Sequence, residues 1–202
     1  MRALVLGISG GIGRECASAL ESTGYNVTGM TSEDIDLNNT SQIFDLNLDY
    51  DIVMNCTGHS IGTYQGFIDN DWRNQLSQIN VNYVANIFLL KHYASTRCKG
   101  KYVWVSSNLI STTDSKFCTY ASTKTASKTA IDLARSSIPH ISILEVQVGL
   151  TRTNFRYKNY NGTKSVEEID KMYYNDNALC PRHVALQIVE AIADGRHIVV
   201  CK

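Results

Sequence analysis

Short, nearly unbroken apolar runs alternate along this chain with longer stretches in which apolar positions recur every three or four residues. The short runs are ALVL at 3–6, NVTGM at 26–30, DIVMN at 51–55, YVWV at 102–105, ISILEVQV at 141–148 and HIVV at 197–200. Runs of that length, bounded by polar residues or glycine, predict strands. Helical periodicity covers 12–23, 74–97, 119–137 and 181–194, the last opening on Pro181, a residue suited to a first helical turn. Strands alternating with helices predict parallel βαβ units: an α/β, doubly wound, mostly parallel sheet with helices on both faces. No linker or repeat interrupts the pattern, so residues 1–202 are expected to form one domain. Residues 150–178 carry weak periodicity and much Asn, Tyr and Thr, which predicts a loop or short helices. An insertion after a strand's carboxyl end lies beside the ligand crevice of an open α/β sheet, which makes this segment the expected substrate loop.

The 202 residues are 44% hydrophobic and 19% charged, enough apolar material for a substantial core. Basic and acidic residues number 19 each, so the overall balance gives no electrostatic support for nucleic-acid binding. MRALVLGISGGIG is unlike a signal peptide, and no apolar run approaches the ~20 residues of a membrane span, so a cytoplasmic protein without a membrane partner is expected. Six cysteines (16, 56, 98, 118, 180 and 201) form no CxxC pair and read as reduced, structural thiols. Neither they nor the five histidines show metal-ligand spacing, and no metal is expected.

Ser107, Tyr120 and Lys124 change the picture from fold to chemistry. Four residues apart on one helix, Tyr120 and Lys124 share a face, where an ammonium favours ionisation of the phenol. At about 4 Å and an effective dielectric near 20, two unit charges interact by roughly 4 kcal/mol, enough to lower a tyrosine pKa of about 10 towards neutral pH before solvent reduces the effect. Ser107 ends the YVWV strand thirteen residues before Tyr120, so strand end and helix can converge. A second pair, Tyr160 and Lys164, has the same spacing but sits in the loop-like YKNYNGTK, with Gln147 where the partner serine would stand. It reads as a decoy.

Between the first strand and first helix stands Gly7-Ile8-Ser9-Gly10-Gly11-Ile12-Gly13. Glycines allow a tight turn and close backbone approach, and the following helix N-terminus, with Arg14 just beyond, presents N–H groups to a pyrophosphate. Together with Ser107, Tyr120 and Lys124 this loop resembles the short-chain dehydrogenase/reductase family, with its Rossmann-like fold, and the resemblance runs through nearly the whole chain. Asn55-Cys56-Thr57-Gly58 resembles the family's Asn-Asn-Ala-Gly element beside the adenosine. Asp36-Leu37 resembles its adenine contact, and Asn82, preferred over Asn80 on apolar register, its catalytic asparagine. Val148-Gly149-Leu150-Thr151-Arg152-Thr153 resembles the Pro-Gly segment, in which Gly149 and Thr153 would meet the nicotinamide. Leu6, Cys56 and Val148 depart from the family pattern, and the short stretch from Asp36 to Asn55 implies a trimmed second crossover.

The resemblance implies an NAD(P)(H)-dependent oxidoreductase interconverting a carbonyl and an alcohol. In reduction a hydride from nicotinamide C4 would reach the carbonyl carbon, Tyr120 would donate a proton to the oxygen and Ser107 would hold it. Lys124 would tune Tyr120 and bond the nicotinamide ribose, and Asn82 would hold a relay water. No acid immediately ends the second strand; Thr31 and Ser32 follow Met30, and with Arg14 they favour NADP over NAD through its 2′-phosphate, unless Glu33 or Asp34 reaches the ribose instead. The rivals are a non-catalytic dinucleotide sensor or scaffold, and an epimerase or dehydratase of the extended relatives, for whose added substrate domain too little chain follows Gly149. Substrate identity is not encoded; His59, Ile61, Asn108, Leu109, Phe155, Tyr157 and Tyr173 are the expected pocket residues. Apolar residues on two helices (Val84, Ile87, Phe88 and Leu90; Ala126, Ala130, Ile131 and Ala134) suggest a homodimer or homotetramer.

Overall fold

The computed structural model describes residues 1–62, 66–160, 164–173 and 177–201, so parts of the expected 150–178 loop, 161–163 and 174–176, lie outside the described residues. Among the described residues six strands form a single sheet: β1 Arg2–Leu6, β2 Asn26–Met30, β3 Ile52–Asn55, β4 Gly100–Val105, β5 Ile141–Val148 and β6 Ile198–Cys201. Their order is β2-β1-β3-β4-β5-β6, and every pairing is parallel. The helices are α1 Gly11–Ser22, α2 Gly66–Asp69, α3 Trp72–Ile79, α4 Ala85–Thr96, α5 Cys118–Ala134, α6 Phe155–Asn159, α7 Val166–Tyr173 and α8 Pro181–Ala193.

Alternation along each strand assigns its side chains to two cores. Ala3, Val5, Met54, Val103, Leu144 and Val146 pack with Cys16, Ala17 and Leu20 of α1 and with Val184 and Ile188 of α8. Leu4, Leu6, Val53, Tyr102, Trp104 and Ile143 face the other way, against Leu89 and Tyr93 of α4 and Ile131 of α5. Burial on both sides is why the central strands read as continuous apolar runs. The edge strands differ: β2 exposes Asn26, Thr28 and Gly29, and β6 alternates exposed and buried positions.

The second crossover is trimmed. Between β2 and β3 the chain forms only a 3-10 turn at Thr40–Asp45, whose Ile43 plugs the second core. The chain therefore leaves β1 towards β2 on one side and returns to β3 on the other, which opens the switch-point crevice above the ends of β1 and β3. The predicted 74–97 helix is continuous but not uniform: a π turn, Asn80–Val84, joins α3 to α4. Residues 151 to 179 leave the sheet and return at one neck, where Thr151 pairs with Leu179. There Leu179 N–H donates to Leu150 O at 2.8 Å and Arg152 N–H to Leu179 O at 2.9 Å.

Candidate active site

The carboxyl ends of β1, β3, β4 and β5 converge with the first turns of α1 and α5. β1 runs into Gly7, whose φ of 81° favours glycine and whose N–H donates to Met30 O at 2.8 Å. A Cβ on Gly13 would strike the Gly7 carbonyl, and one on Gly11 would lie 2.6 Å from Thr153 Cγ2. Bare backbone therefore lines the head of α1, capped by Gly10 without a side-chain bond. Such a cradle fits a pyrophosphate, held by the free N–H groups and the positive end of the helix.

Two lobes of one cleft flank this cradle. The first, about 410 Å³, is lined by Gly7, Ser9, Thr31, Ser32, Asp36 and Leu37 among others. The second, about 170 Å³, is lined by Ile12, Gly13, Ser107, Tyr120, Lys124, Gly149, Thr153, Phe155 and Arg156 among others. Both include Gly10, Gly11, Cys56, Thr57 and Gly58. A long ligand with a phosphate centre and a group at each end matches that outline.

Three expected site residues do not line the cleft. Arg14 turns back on the first turn, its guanidinium 3.4 Å from the Ser9 carbonyl. Buried Asn55 braces the loop it begins: its Oδ1 accepts from Thr57 N–H at 3.0 Å and Thr57 Oγ1 at 2.6 Å, while its Nδ2 donates to Asn86 Oδ1 at 2.9 Å. Tyr102 OH also donates to Asn86 Oδ1, at 2.8 Å. Asn82 lies in the π turn, where its Oδ1 accepts from His59 N–H and its Nδ2 donates to His59 O, both at 2.8 Å. Its side chain thus holds the Gly58-His59-Ser60 backbone, and its carbonyl accepts from Ser127 Oγ at 2.8 Å. Of two acidic groups after β2, Asp36 lines the first lobe and Asp34 does not. Asp34 accepts from Thr31 N–H at 2.7 Å and Thr31 Oγ1 at 3.0 Å, and Asp36 Oδ1 caps Asn38 N–H at 2.9 Å.

Tyr120 and Lys124 share one face of α5, as their spacing predicts, but their electrostatics run opposite to the expectation. Burial pushes the Tyr120 phenol up to about 12, with hydrogen bonding from Ser107 as the opposing influence. Burial also pushes the Lys124 ammonium down to about 8, against a smaller upward pull from Cys56. Lys124 is only 4% exposed; its Nζ lies 6.0 Å from the Tyr120 ring centre and donates to the Val105 carbonyl at 2.9 Å. Spacing put the two side chains on one face, while packing beneath the sheet edge removed the solvent that both charged forms need. Ser107 follows β4 by two residues, capping the 3-10 turn Asn108–Ser111, and accepts from Leu109 N–H at 3.1 Å, which orients its hydroxyl.

Of the expected pocket residues, Asn108, Leu109 and Phe155 line the second lobe, and His59 and Ile61 the first. Tyr157 and Tyr173 line neither lobe: Tyr157 OH donates to Asp170 at 2.6 Å, and Tyr173 OH shares a hydrogen bond with Tyr160 OH at 2.5 Å. The decoy Tyr160 is buried at the end of α6 rather than in an open loop. Asn86 and Arg156 were not legible from the sequence: Asn86 sits one turn beyond Asn82 without a motif, and Arg156 lies in a segment without clear period. Among the described residues no group of three or more His, Cys, Asp or Glu could hold a metal, and no helix is long and apolar enough to cross a membrane. All six cysteines are free, with Cys98, Cys118 and Cys180 exposed.

Solved structures with this fold include a small-chain dehydrogenase in complex with NADPH, 18% identical, covering 100% of this chain and 96% of its own, at a TM-score of 0.85. The closed form of serine dehydrogenase complexed with NADP+ is 17% identical over 100% of this chain and 93% of its own, at 0.84. A short-chain dehydrogenase from Sphingobium yanoikuyae with NADPH is 15% identical over 98% and 86%, at 0.79. No curated protein matches the sequence significantly. The model of the NAD dependent epimerase/dehydratase family matches residues 3–201. The chain thus belongs to the NAD dependent epimerase/dehydratase family and has the fold of the short-chain dehydrogenases/reductases.

Proposed function

We propose that this protein is an NADP(H)-dependent oxidoreductase that interconverts a carbonyl and an alcohol. The observation that carries the reading is the meeting of Ser107, Tyr120 and Lys124 in the lobe that opens onto the glycine cradle. When bound, NADPH supplies the hydride. Tyr120, which keeps its proton across neutral pH, donates it to the substrate oxygen, and Ser107 holds that oxygen as charge develops. Lys124, charged below about pH 8, favours loss of that proton and would grip the nicotinamide ribose. Thr153 and the Gly149 backbone would position the carboxamide, and Asn82 keeps the wall of the cleft in place through His59.

NADP is favoured over NAD because Thr31 and Ser32 line the first lobe, while the Asp34 carboxylate is engaged by Thr31 outside that lining. The NADPH and NADP+ bound by the structural neighbours support the same choice. Arg14 would have to leave the Ser9 carbonyl to reach a 2′-phosphate. The test is a panel of carbonyl compounds scored by NADPH consumption and by isolation of the matching alcohol. The family match supports a second reading, an epimerase or dehydratase; it would show as substrate conversion with no net change in cofactor.

A homodimer or homotetramer and a cytoplasmic setting complete the proposal. Leu90 and Ile131 belong to the chain's own core and leave nothing for a partner. Trp72, Leu76 and Ile79, one above another on α3, are exposed, as is Leu133 of α5. Light scattering tests the dimer; a monomeric mass at micromolar concentration sinks it. The exposed free thiols suit a reducing compartment.

A further inference from the structure

The two lobes of the cleft meet at a waist. Gly10 and Gly11 form one side of it, Gly58 and Ser60 the other, and Phe155 and Asn159 of α6 belong to both lobes as well. Residues 153–159 therefore run from one side to the other as a strap. At one end Thr153 lies against the glycine loop, where a Cβ on Gly11 would come 2.6 Å from its Cγ2. In the middle the Phe155 ring covers Gly58, 3.3 Å from where a Cβ on that residue would stand, and its centre is 6.2 Å from that of the Tyr120 ring. At the far end Ser60 Oγ donates to Asn159 Oδ1.

This last contact differs in kind from the other two. Ser60 and Asn159 are both buried, so the strap cannot lie down without the bond unless two polar groups lose water for nothing. The Ser60 side does not yield. Asn82 holds the backbone just before it, accepting from His59 N–H and donating to His59 O. The strap is thus fastened to a fixed wall. A dinucleotide puts a bulky ring system in each lobe and its narrow diphosphate at the waist. Rings at both ends keep it from being threaded beneath a fastened strap, so it enters and leaves from the side, with the strap raised.

We propose that the Ser60–Asn159 bond is a latch that sets how fast the dinucleotide cofactor enters and leaves, without setting how tightly it is held. This rests on the cofactor reading given above and not on the reaction. The latch is made in the free and in the loaded protein alike, so its strength cancels from the affinity and remains in both rates. Weakening it raises the open fraction by the same factor with and without the cofactor. A side chain that binds the cofactor directly behaves otherwise: its loss speeds dissociation alone and weakens the complex in proportion.

The test is stopped-flow fluorescence, reading NADPH association directly and its dissociation by displacement with excess NADP+. Ser60→Ala and Asn159→Ala should each raise both rate constants about 3- to 10-fold, the worth of one buried hydrogen bond, while Kd stays within about twofold. The double variant should be no faster than the faster single, because both remove the same bond. Ser60→Cys keeps a weak S–H donor and should fall between wild type and Ser60→Ala, which preserves the test if the alanine variants do not fold by circular dichroism. Unchanged rates in folded variants overturn the latch. So does faster dissociation alone with a proportionally weaker Kd, which would assign the pair to direct contact with the cofactor. Failure of both NADPH and NADH to bind the wild type defeats the cofactor reading and the latch with it. Rates that respond as stated in a protein that reduces no carbonyl leave the latch standing and defeat only the oxidoreductase reading.

Discussion

Asn82 grips both hydrogen-bonding groups of the His59 backbone, accepting from its N–H and donating to its carbonyl, each at 2.8 Å. The contact spans from the π turn to the loop after β3, so one side chain fixes the separation of two cleft walls. Asn82→Ala would leave both groups without a partner in a part-buried setting, at roughly 1–3 kcal/mol for each buried group. Denaturant melts should show a loss on the order of 2 kcal/mol, and NADPH titration a weaker complex. Wild-type stability and affinity in Asn82→Ala would show that the grip has no such role.

Tyr120→Phe should remove nearly all turnover while leaving NADPH affinity within a few-fold, since it deletes the proton donor and almost no volume. Tyr160→Phe should retain catalysis, because its hydroxyl bonds Tyr173 and not the reacting lobe. Steady-state kinetics on the two variants decide which tyrosine acts. Survival of wild-type kcat in Tyr120→Phe would end its claim.

Lys124 makes cofactor binding depend on pH. An ammonium pushed down to about 8 is charged below that value and neutral above it, and an anionic cofactor favours the charged form. NADPH affinity should therefore fall as pH rises through about 8, with proton uptake on binding above it; in Lys124→Met both effects should vanish. Fluorescence titrations from pH 6 to pH 10 read this directly, and a flat profile in the wild type rules it out.

The same burial has a cost in stability. Because the folded chain holds this lysine below its ordinary value of 10.5, the unfolded chain binds more protons between about pH 8 and that value, and stability should rise with pH there. At about 1.4 kcal/mol per pH unit, keeping the charge at neutral pH costs roughly 3 kcal/mol. Lys124→Met should melt higher at pH 7 while losing activity. A lower melting temperature would mean that the bond to Val105 outweighs the desolvation.

Gly13→Ala introduces the Cβ that would meet the Gly7 carbonyl, so the turn must open by backbone movement. Calorimetry should show NADPH binding lost or reduced by a factor of ten or more. Gly24→Ala, at a glycine of φ 88° with open space around it, serves as the control: it should strain the fold and spare the cofactor.

Strands were legible because a parallel strand covered on both faces must be apolar throughout. Tyr120 and Lys124 on one face of α5 were equally plain, since a four-residue step fixes a face whatever surrounds it. What covers that face depends on packing from β4 and the loop after β3, and this reversed the expected electrostatics of the pair. The π turn at Asn80–Val84 has no compositional sign, which is why Asn82 and Asn80 could be separated only by apolar register. Helices α6 and α7 are too short to establish a period, so the segment bearing Arg156 read as irregular. Leu90 and Ile131 looked suited to a partner, yet the sheet beneath them takes both.

The neck at Thr151 and Leu179 closes the excursion of residues 151 to 179 at its base with main-chain bonds. Main-chain pairing does not depend on side-chain identity, so the excursion can change in sequence while the sheet stays undisturbed. Arg156, Phe155 and Tyr173 all lie inside it, whereas Ser107, Tyr120 and Lys124 lie outside. The neck thus makes the segment exchangeable at its base: swapping it between relatives at the two neck residues should alter the wall that Phe155 gives the reacting lobe, and Thr153 with it, while Ser107, Tyr120 and Lys124 stay in place.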